Sequence, residues 1–376
     1  MKEKETLQEA YKIAKTLDFN TISNTVKKDI NVLINKIDSN KSLVSALVTS
    51  LVKKIHEPNQ DIRLHRTDFQ NGYSARSLDT NVTSPFFKEK FPKYANKESS
   101  FLTLATREKV KWTKIEGEEL KIRDKQLKNS FLNIFDDVET NNADPKEYLY
   151  YLFAKLILLS EQEQELFTTT SEQVANFSSL NINIILEMLQ KHFDIKQSSR
   201  LPVIAIYSIY EILLPKFERY KDKKLIDLQV HTSSDKRGYG DIEIYNQDNT
   251  PFEIVEIKHN IPIDKFLIFD ISKKTAKIKV DRYYILTTYQ KSFASNEAEK
   301  EVMDYIIDLK AKQGIDVIAN GIITTLKYYL RFIDDYEEFI KVYTKNLIID
   351  AKKSTEVKNV HLESWNEIMN NYKITE

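Results

Sequence analysis

The feature that most constrains the fold is a pair of alternating segments separated by a polar turn. They form the stretch IEIYNQDNTPFEIVEIK at residues 242–258. Apolar and polar residues alternate with a period of two on both sides of the polar cluster, a pattern typical of two antiparallel strands joined by a tight turn. The stretch therefore predicts a β-hairpin.

The register of this hairpin determines which side chains share a face. With Asp248 and Asn249 as the central residues of the turn, the opposed pairs are Tyr245 with Phe252, Glu243 with Ile254, and Asp241 with Glu256. Opposed residues have Cβ atoms about 4.5–5.5 Å apart. Because side chains alternate along a strand, Lys258 lies on the same face as Glu256, and a slip of one residue would separate the two carboxylates.

This arrangement of charge predicts metal-dependent phosphoryl chemistry. Two neighbouring carboxylates repel each other unless a cation lies between them. Hard oxygen ligands without histidine or cysteine favour Mg2+, which keeps several waters, can activate one as a nucleophile and can stabilise charge on a phosphate. Asp241 and Glu256 are the expected metal ligands, and Lys258 would orient the attacking water or offset charge on the phosphoryl oxygens.

The bare tripeptide is also compatible with a solvated edge of a strand or helix. An acidic residue two positions before a lysine recurs at residues 119–121, 194–196, 308–310, 350–352 and 356–358. The copy at 256–258 differs from these because it follows a predicted strand with an in-register aspartate and has apolar residues on both sides. This context favours the catalytic interpretation.

The residues GD at 240–241 and FEIVEIK at 252–258 resemble the PD-(D/E)xK nuclease superfamily, specifically type II restriction endonucleases. The resemblance covers about residues 200–290, and Gly240 stands where the superfamily's name has proline. It implies a mixed sheet flanked by helices, Mg2+-dependent cleavage of double-stranded DNA, Asp241 and Glu256 as metal ligands, and Lys258 positioning the water. A second segment, at 71–108, also resembles an N-terminal part of some restriction enzymes.

The superfamily resemblance also implies an accessory acid from a helix that precedes the hairpin. Glu211, in SIYEILLPKFERY, is the candidate, and Glu243 is an alternative because it shares the face of Asp241 in the predicted register. The alternative for Glu211 is a glutamate at the polar edge of a buried helix. His259 follows the lysine and should point to the opposite face, as a structural histidine.

A basic segment at residues 61–114 is the expected DNA-binding region. It contains eleven Lys/Arg against six Asp/Glu, with interleaved aromatic residues, in a chain whose formal net charge is zero. Cationic side chains contact phosphates, and arginine can also bind guanine edges. The candidate contacts are Arg63, Arg66, Tyr73, Ser74, Arg76, Arg107 and Lys109. An ordinary solvated loop packed on its aromatics is the alternative, and the lysines in SKKTAKIKVDR after the hairpin are further candidates for phosphate contacts.

Composition and periodicity set the domain organisation. The 376-residue chain is 41% hydrophobic and has no cysteine, so it can bury a core but forms no disulfide or zinc–thiolate site. Its amino terminus is too polar for a secretory signal and its apolar runs are too short for a membrane span, which favours a cytoplasmic protein without membrane association. We expect an α/β (mixed α+β) fold: a mostly helical region at 1–195, including the basic segment, and a PD-(D/E)xK restriction-endonuclease-like catalytic domain at 196–376.

These expectations combine into a stand-alone type II restriction endonuclease that uses Mg2+ to cut double-stranded DNA at specific sequences. A homodimer is expected, because two identical subunits most simply cut both strands of a two-fold symmetric site. A cognate DNA methyltransferase would be its genetic partner. The alternatives are a repair, recombination or modification-dependent nuclease of the same fold, or a non-catalytic DNA-binding module. The sequence contains no GxxxxGK[ST] phosphate loop, which argues against an ATP-driven complex.

Overall fold

The computed structural model describes residues 2–173, 177, 180–228, 238–354 and 356–373. The chain separates into two units, Met1–Glu165 and Leu166–Glu376. The sequence expectation placed a boundary between residues 195 and 196, whereas the structure divides the chain earlier. The reason is that the helix at Ile182–Phe193 packs its apolar side into the hydrophobic core of the second unit.

The first unit is helical, as its apolar periodicity predicts. Its helices are α1 (Lys2–Ala14), α2 (Asn24–Asn35), α3 (Ile37–His56), α4 (Ala75–Leu78), α5 (Ser84–Lys90), α6 (Lys125–Thr140) and α7 (Pro145–Glu172), the last of which continues into the second unit. Helix α3 is apolar on most of its surface and is buried from Ser42 to Val52. It forms the centre of this unit.

A buried carboxylate ties the basic segment of the first unit to α3. Asp79 lies in a π-helical turn at Asp79–Thr83 and is completely buried. Its oxygens accept hydrogen bonds of 2.7–3.3 Å from the hydroxyls of Ser45, Thr49, Ser84 and Ser99 and from the amide of Ser100. A buried charge needs such donors to replace water. The segment is therefore irregular in secondary structure but anchored at its centre.

The same unit contains a histidine within an aromatic stack. His65 is 2% exposed, and its ring lies parallel to that of Trp112 with 4.0 Å between the ring centroids. The Phe101 ring lies beside both, with its centroid 6.0 Å from that of His65 and 5.8 Å from that of Trp112. Burial lowers the pKa of His65 from 6.5 to about 4, because the charged ring would lose its hydration. His65 therefore stays neutral in the folded chain at physiological pH.

We expect His65→Phe to reduce the acid sensitivity of folding. Because the pKa of His65 is lower in the folded chain than in the unfolded chain, its contribution is complete above about pH 6.5 and is lost as the pH falls toward 4. Between pH 7 and pH 5 the variant should lose about 2 kcal/mol less stability than the wild type, measured by urea unfolding followed by circular dichroism. Equal losses in the two proteins would contradict this assignment.

The second unit combines helices with one mixed sheet. Its elements are α8 (Ile182–Phe193), α9 (Leu201–Leu213), β1 (Lys224–Leu225), β2 (Ile242–Tyr245), β3 (Pro251–Lys258), α10 (Lys265–Thr275), β4 (Arg282–Thr287), α11 (Asn296–Gln313), β5 (Asp316–Gly321), α12 (Ile322–Leu330), α13 (Tyr336–Lys353) and α14 (Asn359–Asn370). Among the described residues the sheet order is β1-β2-β3-β4-β5, antiparallel from β1 to β3 and parallel from β3 to β5. The predicted mixed α/β class is confirmed.

Helices cover both faces of the sheet. On one face, Ile242, Ile244, Val255 and Ile257 belong to a core that includes side chains of α8, α9, α12, α13 and α14. On the other face, Ile254, Tyr283 and Ile285 pack with apolar residues of α10 and α11. Strand β3 lies between β2 and β4, so its alternate side chains enter the two cores. Within the described residues, no helix is both long enough and apolar enough to cross a bilayer.

The predicted hairpin register is correct in the strands and wrong next to the turn. Glu243 pairs with Ile254, as expected, but Tyr245 pairs with Pro251 and not with Phe252. The loop is closed by the amide of Asn246, which donates to the carbonyl of Thr250 at 2.9 Å. Asn249 has a left-handed φ of 61°, and the ladder shifts between Ile244 and Tyr245. A bulge therefore replaces the expected two-residue turn.

A completely buried glutamate holds β3 to the helical layer. Glu253 Oε1 accepts hydrogen bonds from the hydroxyls of Tyr210 (2.7 Å) and Tyr220 (3.0 Å), and Oε2 lies 3.4 Å from the guanidinium of Arg219. Arg219 also forms an ion pair of 2.7 Å with Asp281. Burial, followed by the Glu253 charge, raises the pKa of both tyrosines, so their hydroxyls remain donors. The carboxylate is satisfied by side chains that the fold brings to it.

Removing the Glu253 carboxylate should lower the stability of the fold. Glu253→Ala leaves Arg219 and the Tyr210 hydroxyl without their buried partner, and we expect the free energy of unfolding to fall by about 3–5 kcal/mol. Glu253→Gln keeps an acceptor for the hydroxyls and should cost about 1–2 kcal/mol. Urea unfolding of the two variants tests this difference. If the alanine variant is as stable as the glutamine variant, the network contributes little.

Candidate active site at the start of β2 and the end of β3

Asp241 is held against β3 by two hydrogen bonds. Its amide donates to the carbonyl of Val255 at 2.8 Å, and its Oδ2 accepts from the amide of Ile257 at 2.7 Å. That amide lies between Glu256 and Lys258 along the strand. The ladder of paired residues begins one position later, at Ile242, so Asp241 contacts β3 through its carboxylate and its amide instead of a regular ladder position.

Gly240 allows this close approach. A Cβ at this position would lie 2.5 Å from Cγ2 of Ile254 and 2.8 Å from the carbonyl oxygen of Val255. Its amide also donates to Glu243 Oε1 at 3.1 Å, a bond that proline cannot make. Local packing and a required hydrogen-bond donor therefore explain why a glycine stands at position 240.

Glu256 and Lys258 form the predicted pair on the opposite side of β3 from Ile257. Lys258 Nζ lies 2.6 Å from Glu256 Oε1, and Lys274 Nζ, from α10, lies 3.0 Å from Oε2. The Glu256 side chain is 13% exposed. Its negative charge is thus compensated by two ammonium groups, one from its own strand and one from the adjacent helix.

Tyr283 lies between Glu256 and the segment that precedes Asp241. Its hydroxyl donates to the carbonyl of Tyr239 at 2.7 Å and lies 3.4 Å from Glu256 Oε2. Burial is the largest cause that raises the pKa of this tyrosine, and the negative charges of Glu256, Asp241 and Glu243 raise it further. The phenol therefore stays protonated, and all three carboxylates act on it.

Glu243 orients the chain immediately before Asp241. It accepts hydrogen bonds from the amides of Tyr239 and Gly240 and from the hydroxyl of Tyr245 at 2.9 Å. These donors occupy much of its capacity as an acceptor. The geometry assigns it a positioning role toward Asp241 more readily than that of an open metal ligand.

Glu211 lies away from this region. Its carboxylate bonds to Lys345 Nζ at 2.7 Å and to the side-chain amide of Asn346 at 2.8 Å, both on α13. Val203, on the first turn of α9, borders a cavity next to Asp241. Eight residues of helix place Glu211 about 12 Å further along the axis than Val203. The structure thus supports the alternative interpretation, a glutamate at the polar edge of a buried helix.

Asp241 borders a cavity of about 360 Å³ on the α9 side of the sheet. The other lining residues are Gln197, Ser199, Arg200, Val203, Ile257, Glu356 and Lys358. Arg200 is buried and forms ion pairs with Asp350 at 2.7 Å and Glu356 at 3.5 Å. Asp241 therefore shares this cavity with the buried ion pairs of Arg200.

The residues present fit a sparse magnesium site. Within the described residues there is no group of three or more His, Cys, Asp and Glu side chains arranged to hold a metal ion. Mg2+ needs fewer protein ligands, because it is commonly bound through one or two carboxylates with water and phosphate oxygens completing the octahedron. Asp241 and Glu256 supply carboxylates of the required type, and the Asp241 carboxylate bonds to the amide of Ile257, the residue that follows Glu256.

His259 has the structural position expected from its alternation with Lys258. Its ring nitrogens lie 3.1 Å from the hydroxyl of Ser198 and 3.0 Å from that of Thr288. Burial lowers its pKa. The histidine therefore joins the end of β3 to the segment before α9 and to the residue after β4.

In the first unit, the candidate DNA contacts differ in how exposed they are and in their partners. Tyr73 is buried, and its hydroxyl donates to Ser50 at 3.0 Å, so it is a core residue. Arg63 is half-buried in a bidentate ion pair with Asp61. Ser74 and Arg76 are exposed at the start of α4.

The remaining three candidates lie together. Arg66 bonds to Asp68 at 2.9 Å, and Lys109 lies 3.3 Å from the same carboxylate. The guanidinium of Arg66 also donates to the carbonyl of Arg107 at 3.0 Å. The ion pair with Arg66 is the largest cause that lowers the pKa of Asp68. Two cationic side chains, those of Arg66 and Lys109, thus pair with one aspartate on the surface of this unit, and Arg107 is joined to them through its backbone.

Sequence reasoning missed Lys274 and Tyr283 as members of the candidate site. Lys274 belongs to the basic run after the hairpin, which was considered for phosphate contacts but not as a partner of Glu256. Tyr283 lies in the RYYILT strand, where period-two alternation gives its face but not its neighbour across the sheet. Both contacts depend on the parallel pairing of β3 with β4 and on the packing of α10.

Gly240→Ala tests the close approach that positions Asp241. The added methyl group must displace Ile254 or β3, and we expect a loss of about 1–3 kcal/mol in the free energy of unfolding. Hydrogen exchange of the β3 amides should become faster. The effect should include the amide of Ile257, because the Asp241 carboxylate that accepts its hydrogen bond moves. The control is Gly314→Ala at the end of α11, where φ is +76° and a Cβ meets nothing within 4 Å.

This control should cost about 1 kcal/mol through backbone strain and leave exchange in β3 unchanged. Unchanged exchange in Gly240→Ala would show that Asp241 does not depend on the glycine.

Comparison with known proteins assigns no family to this chain. No protein-family model matches it, and none of the curated proteins is significantly similar to it in sequence. The interpretation of the site therefore rests on the geometry of Asp241, Glu256 and Lys258.

Proposed function

We propose that this protein is a Mg2+-dependent endonuclease of the PD-(D/E)xK type that cuts double-stranded DNA, with a type II restriction enzyme as the leading form. One observation carries the proposal. The carboxylate of Asp241, at the start of β2, bonds to the β3 amide that lies between Glu256 and Lys258. This bond supports the proposal because it holds the Asp241 carboxylate next to the strand residue that separates Glu256 from Lys258, and carboxylates of this kind can bind a metal ion that activates water.

Each residue has a defined task in this proposal. Asp241 and Glu256 would hold Mg2+, which supplies an activated water and stabilises charge on the phosphate when it is bound. Lys258, whose ammonium already lies 2.6 Å from Glu256, would orient the attacking water and offset charge on the phosphoryl oxygens. Tyr283 holds Glu256 and the backbone of Tyr239 by hydrogen bonds, and is a positioning residue.

The surface of the first unit supports DNA as the substrate. Arg66 and Lys109 both pair with Asp68, and Arg66 also bonds to the backbone carbonyl of Arg107; cationic side chains of this kind bind phosphates without reading sequence. We extend the proposal to a homodimer, since a two-fold symmetric site needs two cuts, and to a cognate DNA methyltransferase as genetic partner. A repair, recombination or modification-dependent nuclease would use the same catalytic residues.

A non-catalytic DNA-binding module is the second candidate. The observation that favours it is the pairing of Glu256 with both Lys258 and Lys274, which compensates the carboxylate without a metal. In that case the lysines would serve the stability of the sheet and the binding of phosphates. The two candidates differ in whether magnesium produces cleavage.

The decisive test is cleavage of unmethylated phage DNA by wild type and by Lys258→Ala, each with Mg2+ and with EDTA. We expect discrete magnesium-dependent fragments from the wild type and a rate lower by about 10²–10³-fold in the variant. The control is Lys312→Ala, which removes an exposed lysine paired with Asp308 on α11 and should cut like the wild type.

The products separate the remaining forms of the proposal. Discrete ends that share a sequence support a restriction enzyme, whereas a smear, or cleavage confined to methylated or branched DNA, supports the other nucleases. DNA binding without cleavage supports the non-catalytic module. Equal cleavage by Lys258→Ala and wild type would exclude the proposed role of the lysine.

A further inference from the structure

Helix α10 exposes two large aromatic side chains that packing does not explain. Phe266 is 66% exposed and Phe269 is 48% exposed, and Ile261, in the loop before the helix, is 50% exposed. The two phenylalanines are three residues apart, so they lie on the same side of the helix. The opposite side of α10 is buried through Ile268 and Ile271. The helix therefore has an outward apolar surface in addition to the side that packs on the sheet.

Cationic groups accompany these rings. Lys273 Nζ lies 4.3 Å from the centroid of the Phe269 ring, and Lys265 Nζ lies 5.8 Å from that of Phe266. Residues 265–280 contain five lysines and one aspartate, although the whole chain has equal numbers of acidic and basic residues. The surface thus combines flat apolar faces with a local excess of positive charge, which complements a polyanion that carries flat rings.

This surface begins next to the candidate active site. Lys274, on the same helix, forms the 3.0 Å ion pair with Glu256. Five residues of helix separate Lys274 from Phe269, which is about 7–8 Å along the axis. A strand that reached the Glu256 and Lys258 pair would therefore pass close to the exposed rings.

We infer that α10 binds a nucleic-acid strand, with unstacked bases against Phe266 and Phe269 and phosphates near Lys265 and Lys273. The inference rests on the proposed function and adds that the strand at this helix is single or locally opened. Bases stack on aromatic side chains without sequence preference, and apolar side chains can also enter between base steps of a duplex. Lys265 and Lys273 beside the rings make the same surface unfavourable for a second copy of the chain, because like charges would face each other.

Binding without metal tests the inference separately from catalysis. The full chain is titrated in EDTA against fluorescent oligonucleotides: a 20-nucleotide single strand, a matched duplex, and a duplex with an unpaired segment. We expect Phe266→Ala/Phe269→Ala to bind the single strand and the opened duplex about tenfold or more weakly than wild type, with a smaller change for the matched duplex. The fluorescence of 2-aminopurine in the unpaired segment should be quenched by wild type and not by the variant.

The matched control is Tyr305→Ala/Ile307→Ala, which removes two exposed apolar side chains from α11 (44% and 68% exposed). It should bind like the wild type, and thermal unfolding should confirm that both double variants fold. Unchanged affinity in the α10 variant overturns the inference, as does a wild type that does not bind the single strand.

Two further results would also overturn it. One is a change from dimer to monomer confined to the α10 variant in sedimentation, which would assign this surface to self-association. The other is a loss confined to this variant of binding to anionic phospholipid vesicles, without a loss of binding to oligonucleotides. Binding that depends on the phenylalanines in a protein that never cleaves DNA with Mg2+ would leave this inference intact and refute the proposed function. Mg2+-dependent DNA cleavage by the wild type, together with unchanged oligonucleotide binding in Phe266→Ala/Phe269→Ala, would support the proposed function and overturn this inference.

Discussion

Strand β3 carries a carboxylate on each face of the sheet, and much of the second unit is arranged to compensate them. Glu253 enters the helical core, where Tyr210, Tyr220 and Arg219 replace its water. Glu256 lies on the other face against Lys258 and Lys274. A charge inside a protein is tolerated only when partners of this kind are present. The position of β3 is therefore tied to residues from α9, α10 and the segment between α9 and β1.

The two carboxylates are compensated in chemically different ways. Glu253 is completely buried, and two of its donors are neutral hydroxyls within a rigid core. The partners of Glu256 are lysine side chains that are 25% and 40% exposed. Flexible ammonium groups near solvent can exchange partners at a smaller cost than buried tyrosines. The partners of Glu256 can therefore be replaced without disrupting the core, which is what the proposed binding of a metal ion on this face would need.

The first unit also contains a completely buried carboxylate, that of Asp79. This buried aspartate collects hydroxyl and amide donors from α3 and from the segment up to Ser100. It fixes an irregular stretch, from the turn at Asp79 to Ser100, that has little regular hydrogen bonding of its own.

Some of the candidate site could be predicted because it depends on short-range order. Period-two alternation correctly predicted the pairing of Glu243 with Ile254 and a shared face for Glu256 and Lys258. The turn was not predicted, since the left-handed conformation of Asn249 and the bulge at Tyr245 depend on a loop closed by Asn246 and Thr250. The partner of Glu211 was equally out of reach, because Lys345 lies 134 positions further along the chain.

The sequence by itself determined the strands, the helical first unit and the residues that can carry chemistry, because alternation and residue type act over a few positions. The tertiary structure decided which of those residues meet. Lys274 and Tyr283 reach Glu256 through helix packing and parallel strand pairing, and Tyr73 is in a core instead of on a surface. Such contacts depend on how distant segments bury their apolar faces together, and local patterns contain no information about that choice.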